Sequence, residues 1–339
     1  MPATENIPAG GFADFSPSLI PLNSRRNHRS RPKIGLALSS GGAKGLAHIG
    51  VIQVLEEYGV KIDAIAGSSM GAYVGSCWAA GCDGFELEEL AARMSSSRDR
   101  LKLLDPILPP RTGFIRGLKV KNRLMRTVGE RTFDELKRKL IVVASVLETH
   151  ETKVFSGDSL VADAVHASLA IPGICAPVEI DGTTYVDGGV TEPLPVQPLL
   201  DLGMDRVIAV SVVPSVEDLK ACRDRRFDRP KKRGFWSSIG RFLNKHLNYF
   251  AEGNILDILR RSSTCGQIRM AEFSAEIADL CLHPAVCADS WQDYHHYRAY
   301  VEQGRIAAEA NIDRILALTS PTLPAAAGRK NLHLNTSRP

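Results

Sequence analysis

Gly67-Ser68-Ser69-Met70-Gly71 is a G-x-S-x-G pentapeptide set between the apolar run DAIAGS and the small-residue helical pattern SMGAYVGSCWAAG. A serine on a sharp strand-to-helix turn is presented as a nucleophile, and glycines on either side keep side chains away from an approaching ester. Ser69 holds the central place and Ser68 the turn's second place. A helix starting at Met70 would aim its first N–H groups and positive dipole end at a developing oxyanion. The bland alternative is a chance match in a small-residue turn. The flanking strand and helix favour the nucleophile.

Upstream, Ser39-Ser40-Gly41-Gly42-Ala43-Lys44-Gly45 follows another apolar run and opens a helical pattern. Successive small residues there let backbone N–H groups converge on an anion. A Walker A loop needs Ser or Thr after its lysine, and Lys44 is followed by Gly45, so that reading fails. A dinucleotide fingerprint needs Gly where Ser40 stands; Asp63 lies near the acidic offset but opens the next strand rather than ending it. An oxyanion hole built from the N–H groups of Gly41, Gly42 and Ala43 also accounts for Ser69, and a plain tight turn remains the alternative.

A serine nucleophile needs a proton acceptor, commonly histidine. None of the nine histidines sits in a glycine-framed loop, and His48 falls inside the helix after the glycine loop, where it packs. The better candidate is Asp187, in Tyr185-Val186-Asp187-Gly188-Gly189 at a strand end. Gly188 and Gly189 let the backbone bring the carboxylate close to the nucleophile turn. A solvated aspartate has a pKa of about 3.9 and is a poor base, so such a site must place it closely and exclude water. The competing reading is an ordinary Asp-Gly-Gly turn.

The elements that must position these residues follow from the apolar pattern. KIGLALS reads as a buried strand, LAHIGVIQVLEEYG as a helix closed by Gly59, and VKIDAIAGS as a second strand. Residues 85–139 read mostly as helices and loops, 140–148 as a third buried strand, and 159–169 as a helix stopped before Pro172. VEIDGTTYV carries a two-residue Asp-Gly hairpin turn, and 206–213 is the last strong strand. One long helix is expected over 291–317. The rhythm is that of a layered α/β fold. The catalytic core is assigned to 33–215, with a flexible leader at 1–32, a mainly helical part at 216–318 and a flexible tail at 319–339.

Bulk numbers bound the function. The 339 residues are 44% hydrophobic and 24% charged, as in ordinary globular proteins. A formal charge of +4 argues against wholesale nucleic-acid binding. Seven cysteines without a C-x-x-C pair suggest neither a disulfide framework nor a zinc site. No signal-like leader or spanning apolar stretch is read, so a cytoplasmic location with at most peripheral membrane contact is expected.

Taken together, SSGGAKGLAHIGVI, AIAGSSMGAYVG and ASLAIPGICAPVEIDGTTYVDGGVTEPLPV resemble the patatin-like phospholipase family in order and spacing, over about residues 33–215. The bacterial branch similar to the esterase domain of neuropathy target esterase is the best match. The resemblance implies a three-layer α/β/α fold with a mainly parallel central sheet and no metal or other cofactor. It also implies cleavage of lipid acyl esters, with phospholipid or lysophospholipid as substrate. Carried over, Ser69 is the nucleophile and Asp187 the base of a Ser–Asp dyad, and Gly41, Gly42 and Ala43 frame the oxyanion hole. The family usually has Gly at Ser40 and Arg at Lys44; the second exchange keeps the charge but not the bidentate fork.

Two questions stay open on sequence. Residues 231–261 place Phe235, Ile239, Phe242, Leu243, Leu247 and Phe250 at helical spacing among basic residues. That suits either an interfacial helix on anionic lipid or a cap over the catalytic domain. The rival functions are a soluble short-chain esterase or thioesterase with the same dyad, and a catalytically silent lipid-binding module.

Overall fold

The computed structural model describes residues 31–96, 102–220, 254–284 and 293–320. Nearly all of the expected leader, residues 231–253 of the basic segment, and the tail beyond 320 lie outside the described residues.

In chain order the elements are β1 (Ile34–Leu38), a 3-10 turn (Gly42–Leu46), α1 (Ala47–Glu57), β2 (Ala64–Ser68), α2 (Met70–Ala80), α3 (Gly84–Ser95) and α4 (Leu118–Val128). There follow β3 (Lys139–Val146), β4 (Thr152–Phe155), α5 (Val161–Ser168), β5 (Val178–Ile180), β6 (Thr183–Val186), α6 (Gln197–Asp201) and β7 (Arg206–Val210). The chain continues through α7 (Ile255–Ile277), β8 (Leu280–Leu282), α8 (Tyr297–Glu309) and α9 (Ile312–Thr319). The sheet runs β5-β6-β3-β2-β1-β7-β8, with β4 also on β3. β3, β2, β1, β7 and β8 are parallel neighbours, while β4, β5 and β6 pair antiparallel.

The two-residue period of the strands divides the core into two. Ile34, Leu36, Leu38, Ile65, Ile208 and Val210 face α1 and α2. Ala37, Ala64, Ala66 and Ala209 face the other way, toward Leu199 of α6 and Ile268 and Ala271 of α7. Both faces are covered, which makes the three-layer α/β/α arrangement. α1 is itself enclosed, with every residue from Ala47 to Leu55 buried between the sheet and α8.

Two sequence expectations are corrected. The last strong strand, expected over 206–213, ends at Val210, and beyond it, where helix was expected, the chain adds the short strand β8. It extends the sheet because Asp279 just before it accepts the Val207 N–H (2.8 Å) and lies 3.5 Å from the buried Arg206 guanidinium. The single helix expected over 291–317 is broken at Asn311, whose side-chain amide donates to the Ala307 carbonyl (3.0 Å) and closes α8 before α9 begins. Among the described residues, no helix is long and apolar enough to cross a membrane.

Candidate active site

β2 ends at Ser68 and α2 begins at Met70, leaving Ser69 alone at the corner. Its φ of 53° and ψ of −119° lie in a region that non-glycine residues rarely occupy. The surroundings hold it there. The Ser69 N–H donates to Ser168 Oγ (2.8 Å), at the end of α5, and the Tyr73 N–H donates to the Ser69 carbonyl (3.1 Å). A Cβ at Gly71 would stand 2.2 Å from the Leu38 carbonyl oxygen and 2.7 Å from that of Ser39. α2 therefore starts directly against the end of β1, where the glycine loop leaves the sheet.

That loop is pinned on both flanks. The Ser39 N–H donates to the Val210 carbonyl (3.1 Å), the Ser40 N–H to that of Pro193 (2.8 Å), and Ser39 Oγ accepts from the Val212 N–H (2.9 Å). Gly41 precedes the 3-10 turn and Gly42 takes a φ of 58°. Ala43 is fully buried, and Gly45 packs so closely on Met70 that a Cβ there would be 2.5 Å from its side chain. The second half of the loop is itself a 3-10 turn, which passes straight into α1, so the helix follows the loop as expected.

Asp187 follows β6. Its N–H donates to the Ala170 carbonyl (2.9 Å), and its own carbonyl accepts from Ser145 Oγ (2.9 Å), which also pairs with Thr191 Oγ1 (2.8 Å). With the backbone held from both sides, the carboxylate is divided between two donors. Ser69 Oγ donates to Oδ2 at 2.6 Å, and the Gly189 N–H donates to Oδ1 at 2.7 Å. Gly188 and Gly189 matter here for space. A Cβ on Gly188 would lie 2.3 Å from the Val143 carbonyl oxygen, and one on Gly189 2.9 Å from Ser40 Oγ. The Asp-Gly-Gly turn thus meets both β3, the strand next to β2, and the glycine loop.

Burial governs the electrostatics. It pushes the Asp187 carboxyl up to about 6, against the Ser69 and Gly189 hydrogen bonds that favour the charged form. Burial also lowers His48 to about 4; the ring sits with Nε2 2.9 Å from the Ser39 carbonyl oxygen. His166 is turned to the Arg116 carbonyl (3.0 Å). Glu192, next to the turn, accepts from Ser274 Oγ (3.3 Å) and is pushed up to about 7, chiefly by burial.

Ser69, Asp187, Gly67, Ser68, Met70, Gly71, Gly188, Gly189 and the Gly41–Ala43 loop, all singled out from sequence, converge on this corner. Ser168, Ser145 and Thr191 belong to it as well and were missed. Each is a small polar residue, Ser168 and Ser145 in largely apolar elements and Thr191 just past the Asp-Gly-Gly turn, and nothing local marks it.

The patatin-like phospholipase family matches residues 36–200. The chain is 42% identical, over 57% of its length and 52% of the relative's, to an uncharacterised NTE family protein of Mycobacterium tuberculosis. It is 30% identical to lysophospholipase NTE1 of Cryptococcus neoformans, over 68% of this chain and 14% of that one. VipD from Legionella pneumophila superposes over 84% of this chain and 67% of its own, with a TM-score of 0.41 and 15% identity. The chain therefore spans about half the length of the mycobacterial relative and a small part of the fungal one.

Proposed function

Residues 36–200 of this chain belong to the patatin-like phospholipase family, and from that membership we propose that the protein is a serine hydrolase cleaving the acyl ester bonds of phospholipids or lysophospholipids. Ser69 is the nucleophile and Asp187 the base. The observation that carries this reading is the 2.6 Å hydrogen bond from Ser69 Oγ to Asp187 Oδ2, at a serine held with φ of 53°.

In the first half-reaction Asp187 takes the Ser69 proton as Oγ attacks the acyl carbonyl. The tetrahedral oxyanion is received by N–H groups of the Gly41–Ala43 loop and of the start of α2. The ester C–O bond then breaks; the alcohol leaves with the proton from Asp187, and the acyl group stays on Ser69. In the second half Asp187 accepts a proton from water as its oxygen attacks the acyl-enzyme. Collapse frees the fatty acid and returns the proton to Ser69. Burial suits Asp187 to both halves, because a carboxylate near pKa 6 is a stronger base than a solvated one.

Lipid product analysis on mixed phospholipids and lysophospholipids tests the proposal, with Ser69→Ala as the control. Fatty acid release that survives in Ser69→Ala rejects it. An acyl chain-length series separates a lipid hydrolase from a short-chain esterase: the lipid reading requires long-chain esters to be preferred.

A further inference from the structure

Residues 105–116 form a small hairpin outside the sheet. The Ile107 N–H donates to the Phe114 carbonyl (2.9 Å), the Arg116 N–H to that of Asp105 (3.1 Å), and Pro106 bridges Ile115 antiparallel. Its tip is Leu108-Pro109-Pro110-Arg111, and the Leu108 side chain is 85% exposed. Leu104 and Leu118, each 45% exposed, stand at its base, where Lys119 Nζ donates to the Leu104 carbonyl (2.7 Å).

Both sides of the hairpin are anchored. The Asp105 carboxylate accepts the N–H groups of Arg116, Gly117 and Lys119 at 3.2, 2.9 and 3.2 Å, which caps α4. The N–H groups of Phe114 and Ile115 donate to the Ile174 carbonyl (2.8 and 3.1 Å), and the Ala176 N–H donates to that of Ile115 (2.9 Å). Gly113 is pressed so close that a Cβ there would be 2.5 Å from the Ala176 nitrogen. The 174–176 segment continues from Ala170, whose carbonyl accepts the Asp187 N–H. An apolar tip is thus held out on a framework that leads directly to the Ser–Asp pair.

We propose that this hairpin is a lipid-surface anchor, an inference that rests on the reading that the substrate is a membrane lipid. Leu108 enters the apolar edge of an anionic bilayer, followed by Leu104 and Leu118, while Arg111, Arg116 and Lys119 meet the headgroups. Charge complementarity selects this occupant. The sole carboxylate of residues 102–119, Asp105, is taken up by three backbone N–H groups, whereas Arg111, Arg116 and Lys119 are exposed. An exposed leucine at the tip with Arg111, and exposed cations at the base of the same hairpin, is the side-chain set of an interfacial anchor.

The test is flotation of the Ser69→Ala chain with vesicles of phosphatidylcholine containing about one-third phosphatidylglycerol. Leu108→Asp is expected to lower vesicle partition about tenfold or more, from the lost burial of one leucine. Arg111→Gln is expected to lower it about fivefold on these vesicles and to leave it unaltered on pure phosphatidylcholine. Phe85→Asp, at a large apolar residue on α3 that is 66% exposed, is the control and should bind like its parent. Parental binding by Leu108→Asp, or equal loss in Phe85→Asp, overturns the anchor. Because Ser69→Ala does not turn over, binding is read apart from catalysis. Lipid hydrolysis by the parent with Leu108-independent binding rejects the anchor alone. Leu108-dependent binding without lipid hydrolysis rejects the catalytic reading alone.

Discussion

Ser69 Oγ donates to Asp187 Oδ2 across 2.6 Å while each residue is only 4% exposed. The two side chains come from strand ends 118 positions apart in sequence. Their meeting depends on β2 and β6 both lying beside β3, so that the two chain ends leave the sheet together. Burial raises the cost of a charged carboxylate, and the hydrogen bonds from Ser69 and Gly189 offset part of that cost. The result is a carboxylate that is ionised near neutral pH yet more basic than a solvated one, as the proposed role of taking the Ser69 proton requires.

Removing either partner should end turnover without unfolding the chain. Ser69→Ala and Asp187→Asn are each expected to lower kcat on a p-nitrophenyl ester by about 10⁴-fold. Circular dichroism should show parental secondary structure in both. Activity within tenfold of the parent in either variant rejects the dyad.

The raised Asp187 pKa gives activity and stability opposite slopes. Only the ionised carboxylate accepts the Ser69 proton, so kcat/KM should rise with pH up to about 6 and level off above it. Glu192 titrates near 7 in the same neighbourhood, and Glu192→Gln should leave the limb near 6 in place. For stability, the folded carboxyl keeps a proton that the unfolded chain has released between about pH 4 and 6, so stability falls across that window. The loss above it is about 3 kcal/mol. Asp187→Asn removes this titration. Its melting temperature relative to the parent should therefore be several degrees higher at about pH 8 than at about pH 4. A pH-independent difference refutes the assignment.

Ser168 gives a separable test of how the nucleophile is held. Ser168→Ala strips the acceptor from the buried Ser69 N–H and leaves a strained corner without one of its ties. Stability should fall by about 1–3 kcal/mol. The expected change in turnover is a loss of about 10- to 100-fold in kcat with KM nearly unchanged, because the nucleophile is misplaced rather than the substrate. Steady-state kinetics and a thermal melt on one preparation decide it. A KM effect with parental kcat would count against the positioning role.

Why Ser168 escaped a sequence reading while Ser69 did not is a matter of range. Gly67, Gly71, Gly41, Gly188 and Gly189 sit where a side chain would strike backbone or a neighbouring side chain, and such places advertise themselves in the local residue pattern. The strands of the central sheet were legible for a related reason: each is a continuous apolar run buried on both faces. Ser168 acts on a partner 99 positions away, and its own surroundings, an ordinary helix end, carry no trace of that. β8 has three residues, too few for a periodic signal, and it exists because Asp279 finds Arg206 and the Val207 N–H. The break at Asn311 depends on one side-chain amide turning back on α8.

The packing of α8 on α1 was equally hidden, and it leads to a prediction far from the chemistry. Gly50 of α1 and Gly304 of α8 bring the two helix backbones together: a Cβ on Gly304 would lie 1.9 Å from the Ala47 carbonyl oxygen, and one on Gly50 1.9 Å from that of Val301. No rotamer relieves a clash of a Cβ with backbone, so Gly304→Ala must push the helices apart. It should cost about 3 kcal/mol or more, with a correspondingly lower melting temperature and soluble yield. Because α1 continues directly from the glycine loop, kcat should fall as well even though Gly304 touches no catalytic group. Arg305→Ala, one position on, removes the partly exposed pairs with Glu57 (2.7 and 2.8 Å) and Glu309 (3.0 Å) and the bond to Gln53 (3.4 Å), without any backbone clash, and should cost about 1 kcal/mol or less. A parental melting temperature in Gly304→Ala would mean that α8 does not lie against α1.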